Sequence, residues 1–322
     1  MFEACFNNNF TNALVYYLCI LLLFLLSPFL LIWDLIVNTL RSSFRCTENM
    51  SQKVVLITGA SSGLGELMAY EYAKRGACLA IIATKKPESR LEEVADKARA
   101  LGSPDVLVMF ADVSKVDECR MFVDDTIRHF GRLDHLVANA GIAPLYSVNI
   151  DVTKFAPVMD INFWGSIYPT HFAIPHLQKT HGKIIVNASS CGILHIPQGG
   201  FYAASKAALI GFYESLRFEV SPTVSITILT LGFIQTNLIT AKYSTKGVGV
   251  HLREDFKDVF PVMGAEICAK KIVEGVCKGA TSITEPRFTK ALFFIKFLFP
   301  ELHRFIFKTY QCLENMRLFK KD

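Results

Sequence analysis

The sequence predicts a doubly wound α/β fold, a parallel sheet covered by helices on both faces, preceded by an N-terminal hydrophobic membrane anchor. Three observations predict it. Short apolar runs alternate with longer amphipathic stretches from Lys53 to about Pro286, a glycine-rich turn joins the first run to a helical pattern, and an uncharged stretch of 21 residues lies near the N-terminus.

That stretch runs from Ala13 to Trp33 and matches the roughly 20 residues needed to cross a hydrocarbon core. It does not read as a removed signal peptide, because residues 1–12 hold no Lys or Arg and no Ala-x-Ala site follows. The nearest basic residues, Arg41, Arg45 and Lys53, all lie on its C-terminal side, which puts the main domain in the cytosol. Pro28 would kink the helix, so a straight span and a bent, one-sided insertion both stay open. The expected address is a membrane, at a lipid droplet or the endoplasmic reticulum.

The alternating middle resolves into seven predicted strands, Val54–Thr58, Leu79–Ala83, Val106–Phe110, His135–Ala138, Lys183–Asn187, Ser225–Thr230 and Ser282–Glu285. All are short and rich in β-branched residues. Helical patterns over Leu64–Arg75, Leu91–Leu101, Lys115–His129 and Gly264–Lys278 separate them. The expected layout is an anchor over 1–37, a polar linker over 38–52, a nucleotide-binding domain over 53–286 and a basic, aromatic-rich tail over 287–322. In the tail, Phe288, Phe293, Phe294, Phe297, Phe299, Phe305 and Phe307 alternate with Lys290, Lys296, Arg304 and Lys308. Such a stretch suits either the headgroup region of a membrane or a lid or subunit contact over the main domain.

Composition narrows the function. The chain of 322 residues is 51% hydrophobic and 20% charged with a formal charge of +5, which excludes a disordered tail. Residues 285–322 carry eight basic and four acidic side chains and residues 1–50 two basic and three acidic, so +2 remains for the long middle and no nucleic-acid footprint is expected. Nine widely spaced cysteines suggest free thiols, and the steps of five in His171, His176 and His181 spread over three helical faces, so no metal is expected.

The first strand ends in Thr58-Gly59-x3-Gly63-x-Gly65 and leads into a helix. Glycines there allow the tight turn and the close approach of backbone to a pyrophosphate, whose charge meets the helix N-terminus, as in a Rossmann-type nucleotide site. After the second strand stand Ala83, Thr84, Lys85 and Lys86, with no acid before Glu88. An acid would bind the ribose 2′-hydroxyl of NAD, so its absence beside two lysines favours NADP, with NAD left open.

Tyr202 and Lys206 lie four apart on one face of a helical pattern. An adjacent ammonium is expected to lower the phenol pKa from about 10 towards the range of a general acid or base. Ser189 and Ser190 follow the strand ending at Asn187, and a hydroxyl there could hold a substrate oxygen.

Together these residues resemble the short-chain dehydrogenase/reductase family. The resemblance rests on Thr58-Gly59-x3-Gly63-x-Gly65, Asp112, Asn139-Ala140-Gly141, Asn162 in DINFWGS, the serine and Tyr202-x3-Lys206, and covers about residues 51–286. It selects Ser189 over Ser190, since the family's serine lies 13 residues before the tyrosine, and it gives Asn162 a water-mediated proton relay to Lys206. It implies a cofactor site built from Gly59, Ser61, Ser62, Gly63, Leu64, Gly65, Thr84, Lys85, Asp112, Val113, Asn139, Ala140, Gly141, Tyr202, Lys206 and Thr236, with Asp112 and Val113 at the adenine and Asn139 bracing the central strands.

The uncharged N-terminal segment, KVVLITGASSGLGE, EYAKRGACLA, FGRLDHLV, INFWGS and YAASKAAL are similar to the plant 11-beta-hydroxysteroid dehydrogenase-like proteins, the steroleosins. That similarity implies an NADP-dependent hydroxysteroid dehydrogenase anchored in a lipid droplet. Three departures stand out. Leu231-Gly232 replaces the usual Pro-Gly, Thr84 replaces an arginine that often grips the 2′-phosphate, and Ala138 replaces an asparagine.

The expected activity interconverts a hydroxyl and a ketone on a lipophilic, steroid-like substrate. Tyr202 would act as acid or base, Lys206 would hold its pKa down, Ser189 would bind the substrate oxygen, and Ile142, Pro144, Leu145, Ile193, Leu194, Ile196 and Phe233 would line the pocket mouth. Expected partners are that small molecule and a membrane or lipid-droplet surface, with a homodimer left open. The rival reading is a lipid-droplet coat or sterol-binding protein with little turnover, and a nucleotide-sugar epimerase is disfavoured by the glycine spacing.

Overall fold

A computed structural model of the chain describes residues 47–85, 89–144, 151–196, 198–235 and 262–305, with isolated positions at 15, 17, 18, 22, 26, 29, 33, 36, 308 and 309. The chain divides into two compact units, Met1–Thr47 and Glu48–Asp322. In the first, the described positions between 15 and 36, among them Tyr17, Phe29 and Trp33, are helical and exposed. Among the described residues no helix is long and apolar enough to cross a membrane. Most of the expected anchor lies outside the described residues, as do Lys86, Leu145, Thr236 and Phe307.

The second unit is built on a seven-stranded parallel sheet. Its strands are β1 (Val54–Thr58), β2 (Cys78–Ala83), β3 (Val106–Phe110), β4 (His135–Ala138), β5 (Lys183–Asn187), β6 (Ser225–Leu229) and β9 (Ser282–Ile283), in the order β3-β2-β1-β4-β5-β6-β9. The pair β7 (Ile234–Gln235) and β8 (Met263–Gly264) forms a separate small parallel ladder. The helices are α1 (Gly63–Ala73), α2 (Leu91–Ala100), α3 (Val116–Phe130), a short α4 (Ala156–Met159), α5 (Gly165–Thr180), α6 (Gly200–Val220), α7 (Ala265–Cys277) and α8 (Thr289–Leu298).

Strand alternation explains the two layers. Val55 and Ile57 of β1 point into a core shared with α1, α2 and α7, whereas Val54 and Leu56 point into a core shared with α3, α5 and α6. Every residue of β1 and β2 is buried, the pattern of strands covered on both faces. Predicted and observed element ends agree within two residues. The predicted sixth and seventh strands are trimmed to Leu229 and Ile283, where they still pair, and beyond them the Thr230 and Thr284 hydroxyls join at 2.7 Å.

The strand order reverses at β1, which has β2 on one side and β4 on the other. In a doubly wound sheet, a ligand crevice opens at the C-terminal ends of the strands beside that point. The turn after β1, Asn139 after β4 and the serines after β5 all lie there.

Candidate active site

At the end of β1 the chain turns through Gly59 (φ +66°) and enters α1 at Gly63 (φ +61°), both left-handed. A Cβ on Gly65 would lie 2.3 Å from the Gly59 carbonyl oxygen and 2.5 Å from Asn139 Nδ2, so only glycine lets helix and turn meet. Ser62, at the N-cap, makes no side-chain hydrogen bond to the helix, which leaves first-turn amides directed at the crevice. Ser61 and Leu64 flank this turn and are half-buried. The cradle fits the pyrophosphate of a dinucleotide.

Thr58 locks the cradle to β4. Its Oγ1 accepts from the amides of Asn139 (3.0 Å) and Ala140 (3.1 Å), and Asn139 Nδ2 donates to the Thr58 carbonyl at 2.9 Å. Asn187 Nδ2 then donates to Asn139 Oδ1 at 2.8 Å, extending the brace to β5. Asn139 thus bridges β1, β4 and β5.

Thr84 and Lys85 are exposed just past β2. Asp112 Oδ1 accepts from the amide and hydroxyl of Ser114, and the Asp112 amide donates to Glu118 at 2.6 Å, which fixes the turn after β3. Val113 is buried, and a Cβ on Gly165 would lie 2.6 Å from its Cγ2.

Ser189, Tyr202, Lys206 and Asn162 converge beside this crevice. Ser189 caps a single 3-10 turn over Ser190–Gly192, its Oγ accepting from the Cys191 amide at 3.1 Å. Tyr202 and Lys206 lie on the first turns of α6 with the Lys206 Nζ 5.7 Å from the phenol ring centroid. That Nζ donates to the Asn187 carbonyl at 2.7 Å. Asn162 is fully buried in a widened π-type turn, Asp160–Trp164. Its Nδ2 donates to the Ile142 carbonyl and to Ser205 Oγ, each at 2.9 Å, and Ser205 donates to the Tyr202 carbonyl at 2.8 Å. A Cβ on Gly141 would lie 3.2 Å from Asn162 Oδ1 and 3.5 Å from Lys206 Nζ, so a side chain there would crowd the Asn162 amide.

The expected lowering of the Tyr202 pKa by Lys206 is not found. Desolvation pushes the phenol above its ordinary value, with the neighbouring Cys191 thiol adding to it and a hydrogen bond with Ser189 opposing it. Burial also lowers the Lys206 pKa to about 8, with Cys191 working the other way. The lysine's hydrogen bond goes to a main-chain carbonyl, so burial outweighs pairing at both groups. In this state the phenol is a proton donor.

The Ser205 link and the carbonyl role of Asn187 were not anticipated, nor was the stack of Phe155 on Phe201 at 4.7 Å beside Tyr202. Ile142, Pro144, Ile193, Ile196 and Phe233 are half-buried and Leu194 is buried.

Comparison with known proteins matches the pattern described as short chain dehydrogenase to residues 53–247. The chain is 52% identical to 11-beta-hydroxysteroid dehydrogenase 1A of Arabidopsis thaliana over 262 residues, 80% of this chain and 74% of that protein. It is 43% identical to 11-beta-hydroxysteroid dehydrogenase-like 4A of the same plant, covering 92% of this chain and 96% of the relative. Among solved structures, an alcohol dehydrogenase from Thermococcus sibiricus complexed with 5-hydroxy-NADP matches at TM-score 0.63 and 25% identity, over 73% of this chain and 96% of that one. A short-chain dehydrogenase/reductase from Burkholderia phymatum in complex with NAD shares the fold at TM-score 0.70 and 23% identity, over 79% and 96%. With this breadth of match over the domain that carries the glycine turn and the Tyr202–Lys206 helix, the chain belongs to the short-chain dehydrogenase family and is an oxidoreductase.

Proposed function

We propose that the protein interconverts a ketone and a secondary alcohol on a lipophilic, steroid-class substrate, using NADP, at a membrane or lipid-droplet surface. The observation that carries the reaction type is the convergence of Ser189, Tyr202 and Lys206 beside the glycine cradle, with Asn162 connected to the Tyr202 backbone through Ser205.

The glycine turn and the N-terminus of α1 would hold the pyrophosphate, and Asn139, Gly141 and Lys206 border the space for the rest of the dinucleotide. When bound, that group supplies the hydride carrier. Ser189 Oγ holds the substrate oxygen, and Tyr202, protonated at neutral pH, donates to it as a ketone is reduced. Lys206 supplies positive charge to the phenolate formed, and Asn162 fixes the Gly141–Ile142 segment and, through Ser205, the helix that carries Tyr202. In the alcohol-oxidising direction Tyr202 must first lose its proton, so oxidation gains with rising pH.

The steroid class is supported by the names of the plant relatives and by the apolar side chains around Ile193 and Leu194. NADP is supported by Thr84 and Lys85 after β2, where no acid stands. The membrane address is supported by the uncharged 21-residue stretch from Ala13 to Trp33 and by exposed Phe294, Phe297, Phe299 and Phe305 in the tail.

A nicotinamide absorbance assay with full-length protein, NADP or NAD, and a panel of hydroxysteroids and ketosteroids tests this reading. Turnover preferring NADP is the expected result. Nucleotide binding without turnover of any steroid would overturn the substrate class and favour the coat or sterol-binding alternative.

A further inference from the structure

Helix α8, at the start of the C-terminal tail, lies against the segment that follows Ser189. The Lys296 ammonium donates to the Ile193 carbonyl and sits 3.2 Å from His195 Nδ1. Thr289, at the first turn of α8, is buried against the loop after β6, where a Cβ on Gly232 would lie 3.1 Å from its Oγ1.

The segment that Lys296 holds runs straight to the serine. The Ile193 amide donates to the Ser190 carbonyl at 2.9 Å and the Ser190 amide donates to the Leu231 carbonyl at 2.8 Å. Ser189 itself is anchored from the inside, by Leu231 and the Cys191 amide. On the other side, a Cβ on Gly192 would lie 2.9 Å from the Lys206 carbonyl, so the 3-10 turn is pressed onto α6. Ile193, Leu194 and His195 lie beyond that well-held turn in irregular backbone, where a charged side chain from α8 supplies a strong hydrogen bond to the main chain.

From this geometry we propose that Lys296 is a positioning residue for substrate specificity. By gripping the Ile193 carbonyl it sets the wall formed by Ile193 and Leu194, so that the tail helix shapes the lipophilic side of the pocket while Ser189 keeps its own supports. This inference rests on the proposed ketone–alcohol chemistry at the same site.

The test compares wild type, Lys296→Met and Lys296→Arg in the full-length protein. Methionine keeps the aliphatic stem and removes the donor, and arginine restores a donor. With Lys296→Met, KM for a hydroxysteroid is expected to rise about tenfold at unchanged kcat, a loss of about 1.4 kcal/mol of binding. KM for a small secondary alcohol, the nucleotide Kd and Tm stay put, and Lys296→Arg regains most of the loss. A uniform fall in kcat, nucleotide affinity and Tm would mark a merely structural lysine and overturn the proposal, as would an unchanged steroid KM.

Hydrogen exchange reads the latch without any substrate. The amides of residues 193–196 should exchange about tenfold faster in Lys296→Met than in wild type, while those of β5 do not change. Unchanged exchange would overturn the latch even if steroid turnover were found. Faster exchange in a protein that turns over no steroid would leave the latch in place and count against the proposed function, together with the specificity role that rests on it.

Discussion

The Lys206 ammonium donates to the main-chain carbonyl of Asn187 at 2.7 Å, tying the first turns of α6 to the end of β5. The same Asn187 braces Asn139 through its side chain, so one residue links the lysine to the strand end beside the glycine cradle. Burial lowers the lysine pKa to about 8, and the carbonyl is what holds the amine in place.

A buried lysine whose pKa is depressed imposes a stability cost wherever it is charged. The unfolded lysine titrates near 10.5, so between about 8 and 10.5 the unfolded chain binds more protons and stability rises with pH. Lys206→Met removes that cost and should abolish turnover with Tm equal to or above wild type at pH 7. The Tm difference between variant and wild type should move in favour of wild type as pH goes from 8 to 10, as read by thermal denaturation in a pH series. A constant difference would show that the lysine is not desolvated.

Gly65→Ala forces a methyl group against the Gly59 carbonyl and Asn139 Nδ2. Overpacking of this kind costs about 1–3 kcal/mol, and here the atoms that must move form the cradle. Nucleotide affinity should fall at least tenfold, with a lower Tm, by fluorescence titration and calorimetry. Retained affinity would mean that the pyrophosphate lies elsewhere.

At the opposite end of the sheet, Glu48 forms ion pairs with Lys53 and Lys183 and lies 3.3 Å from His135 Nε2, whose other nitrogen meets the Tyr72 hydroxyl at 3.1 Å. Burial disfavours the charged carboxylate, but His135, Lys183 and Lys53 outweigh it and hold its pKa well below the usual range. Burial likewise lowers the His135 pKa, against the pull of Glu48. Both groups bind fewer protons folded than unfolded, so stability falls as pH drops below about 6.5 for the histidine and below about 4.5 for the glutamate. Glu48→Gln should cost about 2 kcal/mol at pH 7 and flatten the acid limb of the stability curve below pH 4.5, measured by urea denaturation across pH. An unaltered acid limb would contradict the pairing.

The strands were legible because both faces of β1 and β2 are buried, so Val54–Thr58 and its counterparts appear as unbroken apolar runs between turn residues. The cradle was legible because its glycines answer a steric demand that no other residue meets. The Glu48 cluster was not, because it depends on register: His135 stands opposite both Val55 and Lys183 only once β1, β4 and β5 are side by side. Asn187 read as a strand end, and nothing local marks a residue whose carbonyl and side chain serve different partners. The Tyr202–Lys206 spacing was clear, but the direction of the phenol pKa was set by burial, which spacing alone does not carry.

The central claim is that Tyr202 is the proton donor and acceptor of a ketone–alcohol oxidoreductase. The most direct test is steady-state turnover of a ketosteroid by full-length Tyr202→Phe with NADPH, beside its nucleotide affinity. Turnover should fall by about 10² to 10⁴ with the nucleotide still bound and Tm unchanged, since only a hydroxyl is removed from a helix that Asn162 and Ser205 still hold. Turnover close to wild type in that variant would contradict the assignment.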